Sequence, residues 1–140
     1  MMDHGGGNIV NVASIDAFVA ESPSVHYMAS KAGLVILTRC IAVELGHLGI
    51  RCNAVGFTKT EMVAGDLTPH FWNGYMRRIP MRRLAEPREQ AAVVLFLCSE
   101  EASFINGEAI VVDGGQLAGF WYYPDDEPPV PPYESVPPEA

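Results

Sequence analysis

The sequence predicts an α/β fold: a parallel sheet of about three strands with flanking helices. Two observations carry this. Three short β-branched runs alternate with longer apolar-rich segments in the order strand, helix, strand, helix, strand, and such alternation implies parallel strands joined by right-handed crossovers. The strands are also apolar almost throughout, as a sheet covered on both faces requires.

Each element has its own signal. Asn8-Ile9-Val10-Asn11-Val12-Ala13 follows Gly5-Gly6-Gly7 and reads as a first strand reached through a tight turn. Ser22-Pro23-Ser24 is a capping cluster, and the segment after it runs to Leu45 without a breaker pair. Its apolar residues cover much of the helical circumference, so burial on more than one side is expected. Gly46 and Gly49 end it. Ile50-Arg51-Cys52-Asn53-Ala54-Val55 is the second strand, and Gly56 is expected to open a polar loop. Residues 68–78 predict a short helix that exposes Arg77 and Arg78 and ends at Pro80. A further helix starts near Pro87 and fades at Ser99. Asn106-Gly107 is a turn, and residues 108–113 form the third strand, closed by Gly114-Gly115.

Composition narrows the function classes. Nine Lys and Arg stand against 17 Asp and Glu, a net charge of -8, which repels phosphate backbones and anionic lipid surfaces. Nucleic-acid and membrane partners are therefore not expected. No apolar run approaches the roughly 18 residues of a membrane-spanning helix, and the first residues do not read as a secretory signal, so a cytoplasmic setting is expected. Cys40, Cys52 and Cys98 are widely spaced in apolar segments and read as reduced, buried thiols. His4, His26, His47 and His70 lack ligand spacing, so no metal site is expected. From Tyr123 onward, seven prolines and five acids predict an unpacked tail. The expected division is a folded segment over 1–119 and an acidic, proline-rich tail over 120–140.

The chemistry centres on two side chains. Tyr27 and Lys31 are four residues apart on the long helix and emerge on one face. An ammonium beside a phenol favours the phenolate, which suits general acid and base catalysis. By spacing alone the two are either such a couple or an ordinary surface pair. Ser14 adds context. It falls at the carboxyl end of the first strand, where open α/β sheets place their ligands, and its hydroxyl could hold a carbonyl oxygen.

Asn11-Val12-Ala13-Ser14 followed by Tyr27-Met28-Ala29-Ser30-Lys31-Ala32-Gly33 resembles the classical short-chain dehydrogenase/reductase family. The resemblance continues through Asn53-Ala54-Val55, Gly56-Phe57-Thr58-Lys59-Thr60-Glu61-Met62, Arg83-Leu84-Ala85-Glu86-Pro87 and Val112-Asp113-Gly114-Gly115, covering about residues 5–117. It implies a Rossmann-type sheet and NAD- or NADP-dependent interconversion of carbonyls and alcohols. It assigns Tyr27 as proton donor or acceptor, Ser14 as the hydroxyl that orients the substrate oxygen, and Lys31 as partner of Tyr27 and of the nicotinamide ribose. Gly56, Phe57, Thr58 and Thr60 would line the nicotinamide. The segments look most like the 3-oxoacyl-carrier-protein reductase and glucose dehydrogenase branch.

The same resemblance implies parts that these 140 residues do not contain. The family's opening strand and glycine-rich turn, which seat the pyrophosphate on a helix N-terminus, have no counterpart, because Gly5-Gly6-Gly7 precedes a strand rather than joining one to a helix. Between Asn53 and Gly56 two residues, one a proline, are missing relative to the family pattern, so a shortened loop is expected. The chain thus reads as the carboxyl-terminal half of such an enzyme, exposing surfaces that drive homo-oligomer formation. The alternative is a non-catalytic remnant that acts through its interfaces or its tail.

Overall fold

A computed structural model describes residues 1–57 and 69–119. Its strands are β1 (Gly7–Val12), β2 (Ile50–Phe57) and β3 (Ala109–Val112); its helices are α1 (Val25–Leu45), α2 (Pro69–Met76) and α3 (Pro87–Cys98). The three strands form one parallel sheet in the order β1-β2-β3, as the alternation predicts. The described residues group into two compact units, 1–57 with 87–112 and 69–86 with 113–119.

In the first unit β2 is central. Val10 pairs with Asn53 and Val12 with Val55 on one side, and Ala54 pairs with Ala109 and Gly56 with Val111 on the other. Alternation along β2 then sends side chains to two separate cores. Ala54 joins Ala13 and Val35 under α1, with Leu34, Ala17 and Ala109 packed around them. Val55 joins Leu97 and Ala102 under α3, with Val10, Val93, Val94 and Ile110. Asn53 is buried yet satisfied: its amide donates to the Ile105 carbonyl, and its oxygen accepts from the Glu108 N–H.

Five expectations need correction. The second strand does not stop at Val55. Gly56 and Phe57 continue it, because Val111 and Val112 offer them backbone partners. Helix α1 is buried along one stripe only, through Val35, Thr38 and Ala42, while Val25, Ile36, Leu37 and Val43 are exposed. A single sheet face can cover only one side of a helix, however apolar its circumference. For the same reason Cys40 on α1 and Cys98 at the end of α3 are exposed; only Cys52 matches the expected buried thiol. Ser24 occupies the N-cap of α1, but its hydroxyl makes no capping bond. In α2's wake Arg78 is exposed as expected, whereas Arg77 is half-buried.

Two further features hold the first unit. Gly5 and Gly6 adopt φ values of 80° and 119°, which lets the chain turn into β1 directly against Gly49, whose carbonyl accepts from the Gly7 N–H at 3.1 Å. A methyl group on Gly6 would run into that carbonyl. Between α1 and the sheet lies a polar cluster. The Asn11 amide donates to Thr38 Oγ1 at 2.9 Å and reaches Cys52 Sγ at 3.6 Å, while the Thr38 hydroxyl donates to the Leu34 carbonyl at 2.8 Å. Burial pushes the Cys52 thiol above its ordinary value of 9.0, with a hydrogen bond to Thr38 acting in the opposite direction.

The second unit packs Trp72, Tyr75, Met76, Ile79 and Leu84 together. The Asp113 carboxylate accepts from the Gly115 N–H at 2.9 Å and the Leu117 N–H at 2.7 Å, which fastens the Val-Asp-Gly-Gly turn. Among the described residues no helix is long and apolar enough to cross a membrane, and no cluster could hold a metal ion.

Gly6→Ala is expected to lower the unfolding free energy by about 2 kcal/mol through backbone strain. Gly33→Ala, in helix α1 with open space around the added methyl, is expected to raise it by about 1 kcal/mol; urea denaturation reads both. The neutral Cys52 thiol gives a pH dependence of known sign. Unfolded, it ionises near 9.0, so its contribution is complete below that pH and lost as pH rises toward the higher folded value. Thermal melts at rising alkaline pH should therefore lose more stability in the native chain than in Cys52→Ala.

Candidate active site

Of the side chains singled out by sequence, Ser14, Tyr27 and Lys31 gather at the carboxyl end of β1. Ala13, whose N–H donates to the Val55 carbonyl at 2.8 Å, carries the chain one residue past the strand and delivers Ser14 at its tip. Ser14 is buried at 6% exposure and caps the short turn Ile15–Ala17, its hydroxyl oxygen accepting from the Asp16 N–H at 3.1 Å. That bond uses a lone pair and leaves the hydroxyl proton available to an incoming oxygen.

Tyr27 and Lys31 sit in the first two turns of α1. The Lys31 ammonium lies 5.5 Å from the centroid of the Tyr27 ring, a cation–π distance, and donates to the Val12 carbonyl at 2.9 Å. Val12 is the last residue of β1, so this one bond ties the Tyr27–Lys31 face of the helix to the strand end that presents Ser14. The Tyr27 ring is 39% exposed and open to a ligand. The Val12 carbonyl could not have been found as a partner from sequence, because a backbone acceptor has no letter of its own.

Gly56 ends up beside Ser14. A methyl placed on it would lie 3.5 Å from the Ser14 carbonyl and 3.2 Å from the Phe18 ring, so the absence of a side chain lets Phe18 rest over the end of β2. Phe18 is half-open at 43% exposure, an aromatic wall that the sequence reading missed. Phe57 is half-buried and paired with Val112 in the sheet. Thr58 and Thr60, expected to reach the nicotinamide, lie outside the described residues.

Chemically, this arrangement offers a phenol beside a fixed cation and a hydroxyl free to donate, at the sheet end where α/β folds bind ligands. Lys31 could donate to the ribose hydroxyls of a nicotinamide cofactor beside the exposed Tyr27 ring, whereas Gly56 is itself buried beneath Phe18. The pyrophosphate has no comparable seat among the described residues. Gly5, Gly6 and Gly7 lead into β1 at the opposite end of the strand from Ser14.

The chain is similar to known proteins over most of its length. The family model described as enoyl-(acyl carrier protein) reductase matches residues 1–116. The chain is 44% identical over 117 residues to the 7alpha-hydroxysteroid dehydrogenase of Bacteroides fragilis, covering 82% of this chain and 45% of that protein. It is 43% identical over 119 residues to the 3-oxoacyl-[acyl-carrier-protein] reductase FabG of Aquifex aeolicus, covering 84% and 48%. The crystal structure of the TT0495 protein from Thermus thermophilus superposes with a TM-score of 0.78 at 37% identity, over 85% of this chain and 52% of that one. The chain thus spans about half the length of the relatives it matches. With the sheet, the helix bearing Tyr27 and Lys31, and these relatives in agreement, the chain belongs to the short-chain dehydrogenase/reductase family.

Proposed function

We propose that the chain carries the catalytic half of an NAD- or NADP-dependent oxidoreductase that interconverts a carbonyl and an alcohol. The observation behind this reading is the Lys31 ammonium held against both the Tyr27 ring and the end of β1, next to a Ser14 hydroxyl whose proton is uncommitted. The nicotinamide, when bound, supplies or accepts the hydride. The rest of the reaction falls to the protein's own groups. Ser14 donates to the substrate oxygen and orients it, and Tyr27 delivers its proton to that oxygen in reduction or removes one in oxidation. Lys31 offsets the negative charge left on Tyr27 and binds the ribose.

Because its matched relatives are about twice as long, we propose that turnover needs the dinucleotide-binding half that the family resemblance implies beyond these residues. The edge of β1 and the exposed apolar faces of α1 support association, either with such a segment or with further copies of the chain. Three unpaired cysteines suit a reducing, cytoplasmic setting.

In the protein joined to that half, Tyr27→Phe should lower kcat/KM by a factor of about 1,000, in the range of a lost general acid, while leaving cofactor binding by fluorescence titration within about twofold. Equal turnover by Tyr27→Phe and the native protein, followed through the absorbance of the reduced nicotinamide, would remove the reading. For the chain by itself, light scattering after size exclusion should give a mass above the 15.2 kDa of one copy. Ile36→Glu with Val43→Glu should return it toward that mass.

A further inference from the structure

The polar cluster beneath α1 lies outside the reacting groups, yet it adjoins both elements that carry them. Asn11 immediately precedes Val12, whose carbonyl holds Lys31, and it stands three residues before Ser14. Thr38 lies seven residues beyond Lys31, two turns along the same helix face. Both are on the buried side of α1 or the sheet face below it: Thr38 and Cys52 have no exposure, and Asn11 is half-buried.

Beyond this cluster, Asn106 donates to the Ala42 carbonyl at 3.3 Å near the end of α1, and the surface on the Lys31 side of Thr38 is built of small apolar groups. Ala13, Ala17, Ala54 and Ala109 meet Leu34 and Val35 there. Such contacts are non-directional, so they favour close approach of the helix without fixing its position along the strand. A hydrogen bond does fix it. Sliding α1 by one turn would bring Leu34 or Ala42 opposite the Asn11 amide, neither of which offers a side-chain acceptor.

We infer that Asn11 and Thr38 are positioning residues for the Tyr27–Lys31 pair: their hydrogen bond, closed off on the sheet side by Cys52, sets where α1 sits along β1 and so places Lys31 at the Val12 carbonyl. The catalytic importance of this placement rests on the oxidoreductase reading; the placement itself does not. It assigns a task to an asparagine next to the last residue of β1 and to a threonine on the buried stripe of a helix.

The test uses the chain's two lysines, Lys31 and Lys59. Reductive methylation is followed by peptide mass spectrometry, with Lys59 as internal reference and circular dichroism confirming folding. Thr38→Val removes the acceptor and should raise the Lys31-to-Lys59 reaction ratio about fivefold, the factor that one lost hydrogen bond of this kind implies. Thr38→Ser restores the hydroxyl and should return the native ratio. Asn11→Val guards against misfolding: valine suits a strand, the Thr38 hydroxyl keeps its Leu34 acceptor, and the ratio should rise as in Thr38→Val. A native ratio in either folded valine variant, or a raised one in Thr38→Ser, overturns the inference. Failure of the oxidoreductase reading would instead appear in the turnover of Tyr27→Phe and leave this ratio untouched.

Discussion

The pairing of β2 on both of its edges is the constraint from which the first unit follows. Ile50, Cys52, Ala54 and Val55 are buried almost completely, so every backbone N–H and C=O between them needs a partner within the protein. Strands β1 and β3 supply most of these, and loops supply others: Asn106 accepts from the Cys52 N–H at 2.8 Å, and the Cys52 carbonyl accepts from the Gly107 N–H. Asn106 also donates to the Ala42 carbonyl at 3.3 Å, which connects the last turns of α1 to the same strand. With β2 satisfied in this way, the end of β1, the start of α1 and Gly56 have little freedom in where they meet.

The site at that meeting point is assembled largely from backbone. A carbonyl of β1 holds Lys31, and an N–H of the following turn occupies one lone pair of Ser14. Neither bond involves a second functional side chain. Side chains held by main chain in this way need little reorganisation when a ligand arrives. The exposed rings of Tyr27 and Phe18 complete the surface.

Much of this was legible in the sequence for identifiable reasons. Ile9, Val10, Ile50, Val55, Ile110 and Val111 are β-branched residues bounded by glycine, and strands stand where they predict. Tyr27 and Lys31 share a face because the helix period places them there. What was not legible depended on neighbours distant in sequence. Gly56 and Phe57 extend β2 because β3 runs beside them, which their own composition does not announce. Cys40 and Cys98 sit among apolar residues on helices that the sheet covers from one side only, so hydrophobic surroundings in sequence did not become burial in space. Phe18 lies in a loop with no periodicity, and its seat over Gly56 arises only once β1 and β2 are aligned.

The parallel pairing also bears on how the chain acquires its structure. Gly7 and Ile50 are neighbours in the sheet, but the whole of α1 lies between them in sequence. Parallel strands cannot zip from a local turn as a hairpin does, and closing so long a loop costs entropy before any ladder bond repays it. Helix α1 shortens that search, since its hydrogen bonds are local and, once wound, it spans the distance as a stiff rod. Its residues therefore serve in time as well as in space: the segment that displays Tyr27 and Lys31 is also the one that brings β1 and β2 within reach of each other.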